Sequence, residues 1–197
     1  MDQRTLETLG RHLQSLRLAR GLSLSQLAAD AGIAKSNLSR LEQGCGNPTL
    51  DTIWRLSLQL KVPFGDLIAP MQVPVGDQGV TVRLIDQGTD LPAVDAYWMS
   101  CAPFTERKAE AHAAGTVESI TLISGQLEVG TATDLKVLRA GDSHRFAADL
   151  PHHYRTGENW ATALLTIVYQ TVTDTELLTA ESSRSKGEPT LQQGKLG

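Results

Sequence analysis

The sequence predicts two domains of different class, a helical N-terminal domain followed by an all-β one. Three observations carry this. Up to Ile68, leucines recur at three- and four-residue spacing between capping residues and glycine or proline stops, which is the helical period. From Val80 onward the pattern becomes short β-branched and apolar runs separated by Gly/Asp turns, the mark of a sandwich or small barrel. Between them, Ala69 to Gly79 holds two prolines and two glycines and reads as a connection. A chain of 197 residues suits one large or two small domains, and 41% hydrophobic with 20% charged residues is an ordinary globular composition. The expected boundaries are 5–69, a linker at 70–79, a β domain at 80–172, and a tail at 173–197. No apolar run approaches the ~20 residues of a membrane span, and MDQRTLETLG lacks the apolar centre of a signal peptide. The expectation is a cytoplasmic protein with no membrane partner.

The first helix is expected over Thr5 to Ala19, with Leu6, Leu9, Leu13 and Leu16 on one stripe and Gly21 as its stop. Ser23, with Gln26 three residues on, has capping-box spacing for a second helix that turns Leu27 and Ala28 inward. Gly32 suits the tight turn that follows, and Ile33 plugs the corner. A third helix runs from about Ala34 to Gln43, with Leu38 and Leu41 inward and Gly44 as its stop. Thr49 or Asp51 caps a fourth, which carries Leu50, Ile53, Leu56 and Leu60. Pro63 opens a short fifth helix ending near Ile68.

The outer face of the third helix carries Lys35, Ser36, Asn37, Ser39 and Arg40, all hydrogen-bond donors. Two short helices, a glycine turn and such a face are the layout of a helix-turn-helix whose second helix enters the DNA major groove. Charge agrees in sign. Net charge is −4, yet residues 1–70 carry eight Lys/Arg against six Asp/Glu, while the rest carries ten against sixteen. The run SNLSRLEQG, followed by Asn47-Pro48-Thr49-Leu50, resembles the phage-repressor-like (XRE) helix-turn-helix family over about residues 7–68. That resemblance implies a five-helix domain in which Lys35, Ser36 and Arg40 reach base edges. Ser23, Gln26, Asn37 and Ser39 are better placed for phosphate, which positions the protein without specifying sequence. It also implies a partly buried ion pair between Arg17 and Glu42.

In the second domain, strands are expected at Val80–Ile85, Val94–Cys101, Glu118–Ser124, Gln126–Val129, Leu135–Leu138, Ser143–Phe146 and Thr162–Tyr169. The tail from Ser182, rich in Ser, Lys, Gly and Gln, reads as disordered. Cys45 and Cys101 have no metal-ligand spacing and read as free thiols.

Two stretches inside the strands stand out. One is His112-Ala-Ala-Gly-Thr-Val-Glu118 with Gly125 beyond it; the other is Gly141-Asp142, then Pro151-His152-His153-Tyr154. Together they resemble the paired motifs of the cupin family, which implies a jelly-roll β-barrel with His112, Glu118 and His152 in its interior. Ala114 occupies the place of a further motif histidine, a departure from the family pattern. Two imidazoles and a carboxylate suffice for a divalent metal with open positions. Glu110, two residues from His112, is a substitute ligand if the chain alternates there. His144 and His153 read as satisfied or surface histidines.

A phage-repressor-like domain joined to a cupin resembles a class of bacterial transcriptional regulators. The resemblance implies sequence-specific binding of a palindromic operator by a homodimer, with the barrel sensing a small-molecule effector, with or without a divalent metal, and no catalysis. Two alternatives stay open: a mononuclear non-haem iron oxygenase or epoxidase carrying a helix-turn-helix domain, and a barrel that only dimerises its DNA-binding partner.

Overall fold

The computed structural model describes residues 2–71, 73–88 and 90–170. The expected tail lies outside them. Five helices come first: α1 (Gln3–Ala19), α2 (Leu24–Asp30), α3 (Lys35–Glu42), α4 (Leu50–Leu60) and α5 (Phe64–Ile68). Helix α1 starts two residues before the expected Thr5 because the Asp2 carboxylate accepts from the Thr5 amide at 2.8 Å. Ser23 and Gln26 form both halves of the capping box on α2, and Gly32 takes φ +63° between α2 and α3. Thr49 caps α4 by accepting from the Thr52 amide, so Asp51 is a first-turn acid and not the cap. Leu9, Leu13, Leu27, Leu38, Ile53, Leu56 and Leu60 are almost fully buried and form the helical core. Gly10 is required where α1 crosses α3, because a Cβ there would meet the Leu41 and Glu42 carbonyl oxygens at 2.5 and 2.7 Å.

Ten strands follow: β1 (Val75–Asp77), β2 (Val80–Gly88), β3 (Ala93–Cys101), β4 (Glu106–Ala109), β5 (Val117–Ser124), β6 (Gln126–Thr131), β7 (Asp134–Arg139), β8 (Ser143–Ala147), β9 (His152–Arg155) and β10 (Ala161–Tyr169). They form a six-stranded sheet in the order β1-β2-β3-β10-β5-β8 and a four-stranded sheet in the order β4-β9-β6-β7, all pairs antiparallel. Apolar residues of both sheets, among them Ile120, Leu122, Leu127, Val129 and Phe146, share one core. All seven expected strands are present. The sequence reading misses the short β1, β4 and β9, of three or four residues each, because so few positions cannot establish a period.

Part of the expected linker at 70–79 is strand. The stretch contains β1, joined to β2 by Gln78 and Gly79 at φ +49° and +80°, a two-residue hairpin turn with register Asp77↔Val80. The helical domain is consequently held against the sheets. Asp95 on β3, fully buried, accepts from the Gly65 amide at 2.9 Å and from the hydroxyls of Tyr97 and Tyr169 at 2.8 and 2.7 Å. Tyr169 in turn accepts from the Phe64 amide. Gly65 is the residue this approach demands, since a Cβ would sit 2.7 Å from the Asp95 carboxylate.

Candidate functional sites on the third helix and inside the β domain

On α3 the side chains of Lys35, Ser36, Asn37 and Arg40 are exposed, and Ser39 is half-buried. Arg40 donates to the Cys45 carbonyl at 3.2 Å and edges a groove of about 300 Å³ shared with Asn37, Asn47 and Thr52. Ser23 and Gln26 are exposed at the start of α2, but their side-chain oxygens are already taken up by the capping box. The helix is braced from behind. Arg17 donates from Nε to Glu42 Oε1 at 2.6 Å and from Nη2 to Oε2 at 2.8 Å, a buried bidentate pair, and its third nitrogen reaches the Leu22 carbonyl. The pair implied by the helix-turn-helix resemblance is therefore present and more buried than expected.

The second site lies inside the β domain. His112, Glu118 and His152 converge there, each able to offer one ligand atom within 4.8 Å of the others. Glu118 is on β5 and His152 opens β9, but His112 lies in the loop after β4 and not in a strand. Because that loop is not a strand, alternation fails there as well. Glu110 is exposed and bound to Arg55 of α4, so it is not a substitute ligand, and Ala114 is exposed and outside the cluster. His144 is buried, hydrogen-bonded to the Asp134 carbonyl, and satisfied as expected.

Glu118 is the centre of the cluster. Its Oε1 is 2.9 Å from His112 Nε2 and 3.6 Å from His152 Nε2, and its Oε2 accepts from Tyr154 at 2.5 Å. Burial pushes this carboxyl up, but His152, the His112 hydrogen bond and the Tyr154 hydroxyl outweigh it and hold it at about 2. Burial pushes His112 down against the opposing pull of Glu118. His152 Nδ1 faces the Leu150 carbonyl at 2.9 Å, which can only accept, so Nδ1 carries a proton. Its Nε2 is fully buried, has no hydrogen-bond partner and points to a carboxylate. A buried nitrogen left in that position suits a cation, and the set of two imidazoles and one carboxylate fits a divalent metal.

Three residues of this site escaped the sequence reading. Trp54 of α4 stacks face to face on His112, with centroids 3.6 Å apart and planes at 15°, and also stacks against Phe64 at 4.5 Å. Tyr154 was visible only as part of a motif. Arg107 on β4 is buried, donating to Asp51 of α4 at 2.5 Å. A lone tryptophan on an amphipathic helix and an arginine in a four-residue strand give no signal of what they will face.

Comparison with known proteins identifies the helical half and matches the fold of the chain. A helix-turn-helix family profile matches residues 13–67. The HTH-type transcriptional regulator SutR of Escherichia coli (strain K12) is 32% identical over 152 residues, covering 74% of this chain and 85% of that protein. The crystal structure of an HTH_3 family transcriptional regulator from Vibrio cholerae superposes with a TM-score of 0.77 at 23% identity, covering 87% of this chain and all of that one, and so shares its fold. The cupin domain of an XRE family transcriptional regulator from Enterobacter cloacae also matches, at 24% identity and a TM-score of 0.43, over 48% of this chain and 99% of that one. With a helix-turn-helix whose polar face is open and a two-sheet β domain joined directly to it, this chain belongs to the HTH-type transcriptional regulators.

Proposed function

We propose that the chain is a cytoplasmic DNA-binding regulator whose cupin cavity senses a small molecule and passes the signal to α4 and α3. The observation that carries this reading is the stack of Trp54 on His112: the DNA-binding domain and the buried cluster touch through one pair of rings. No helix of the described residues is long and apolar enough to cross a membrane. Lys35, Ser36 and Arg40 are assigned to base edges, and Ser23, Gln26, Asn37 and Ser39 to phosphates. Two copies of α3 in a homodimer would read half-sites of a palindromic operator about 34–36 Å apart. A divalent cation held by His112, Glu118 and His152 would supply a fixed positive centre for a donor atom of the effector.

The test is His152→Ala in the full chain, assayed on operator fragments found by genome-wide mapping of its DNA sites. Affinity without effector should stay near the parent's, while the change caused by effector, typically ~1–3 kcal/mol in regulated proteins, should disappear. A full effector response in the variant would refute the pocket assignment and leave the barrel as a dimerisation module.

A second reading rests on the same buried set, which has the composition of a mononuclear iron site. An oxygenase would purify with stoichiometric iron and show oxygen-dependent turnover lost in His152→Ala. A sensor shows a ligand-dependent shift in melting temperature without turnover. The regulatory reading assigns the chain no catalysis.

A further inference from the structure

We propose that the effector is a small organic carboxylate that replaces Asp51 on Arg107, and that this exchange releases α4 from the cupin. The inference rests on the sensor reading above and adds to it the chemical class of the ligand and the route of the signal.

Arg107 lies on β4 with its side chain 3% exposed. Its Nη2 holds Asp51 of the DNA-binding domain, whereas its Nη1, equally buried, has no hydrogen-bond partner. The nearest carboxylate oxygen to Nη1 is Asp77 Oδ2, at 3.7 Å. Buried donors are nearly always paired, so a guanidinium nitrogen left open beside a cavity marks a place for an acceptor.

The cavity beside it explains why that acceptor arrives only with a change in the protein. It is lined by Arg107, Glu118 and Tyr97 from the β domain and by Leu50, Trp54 and Phe64 from the helices. Its free volume is about 30 Å³, room for a water or two. The helical domain thus fills the mouth of the cupin with its own side chains. An effector of more than a few atoms cannot share the space with Leu50 and Trp54, so its entry and the docking of α4 exclude one another.

Displacing α4 also carries Asp51 away from Arg107. A buried cation stripped of its partner is strongly unfavourable. A neutral ligand leaves that charge with only the looser Asp77 contact at 3.7 Å, and a cationic one adds repulsion. A carboxylate restores the pair and suits the fork of guanidinium donors, reaching the nitrogen that Asp51 leaves open. Glu118, also on the cavity, is itself an anion with His112 and Tyr154 on its oxygens, so the anionic group belongs on Arg107. Val82, Leu165 and Ile167 remain for an apolar body.

The experiment uses the full chain with Trp98→Phe and Trp160→Phe, leaving Trp54 as the reporter. Butyrate, succinate and benzoate are titrated alongside their amides and the matching amines, following Trp54 emission and its quenching by acrylamide. At least one carboxylate should expose Trp54 saturably, with its amide weaker by on the order of tenfold or more. Arg107→Gln should abolish the response. Asp51→Asn removes the internal competitor and should tighten carboxylate binding by on the order of tenfold, a gain that a damaged fold would not produce. Equal binding of amides, weaker binding in Asp51→Asn, or no response of Trp54 to any carboxylate at millimolar concentration overturns the inference. A neutral compound that alters DNA affinity through His152 would overturn the carboxylate while sparing the sensor reading. Absence of specific DNA binding would strike the sensor reading, and the Trp54 titrations would still decide the carboxylate.

Discussion

Three arginines show how surroundings decide what one guanidinium does. Arg17 is buried against Glu42 and serves as a brace; Arg107 is buried against Asp51 with one nitrogen open; Arg40 stands in solvent on α3 with a single long hydrogen bond to its own loop. An exposed arginine on a helix-turn-helix face can pair bidentately with guanine O6 and N7, worth ~1–3 kcal/mol of discrimination. Arg40→Ala is therefore expected to weaken specific operator binding by about that amount and to relax one base position, as read by competition against single-base operator variants. Unchanged affinity for both operator and random DNA would show that Arg40 is not a base reader. The cysteines divide in the same way. Cys45 is exposed, while burial pushes the Cys101 thiol up to about 12, which fits the reading of free thiols without a shared site.

Among the elements, α3 depends most on its neighbours. It has eight residues and no side-chain cap at Ala34, too short to persist alone in water. What holds it is α1, brought close by Gly10 and tied through Arg17 to Glu42. Removing one partner of a buried ion pair costs about 3–5 kcal/mol, because the other charge is left without compensation. Glu42→Ala should lower the unfolding free energy by that amount in a denaturant titration and weaken DNA binding with it. A midpoint that does not move would mean Arg17 finds another acceptor. The ion pair was legible in the sequence only through family resemblance, since nothing in the spacing of residues 17 and 42 requires contact. The capping box of α2 needed no such help, because its two residues lie three apart on one turn.

At the scale of the whole molecule, the buried apolar residues of both domains form one continuous cluster running from Leu9 to Ile167. Asp95 fastens the junction by accepting from one amide and two hydroxyls. Calorimetry should accordingly show a single unfolding transition for the full chain. Asp95→Ala leaves those donors without an acceptor, at about 1–3 kcal/mol for each that stays buried, and should split the transition in two. Two transitions in the parent would show that the domains are energetically independent. The sequence by itself determined the helical-then-β order, all five helices and the seven longer strands, while the three residues of the buried cluster came through resemblance to the cupin motifs. The elements are written in local terms, as helical or two-residue period, caps and turns. Only the tertiary structure decided that residues 75–77 extend the sheet, that His112 projects from a loop, and that Trp54, Asp51 and Glu110 meet partners more than fifty positions away. Those contacts are made between surfaces, and which surfaces meet depends on how the complete elements pack, which no local pattern of residues encodes.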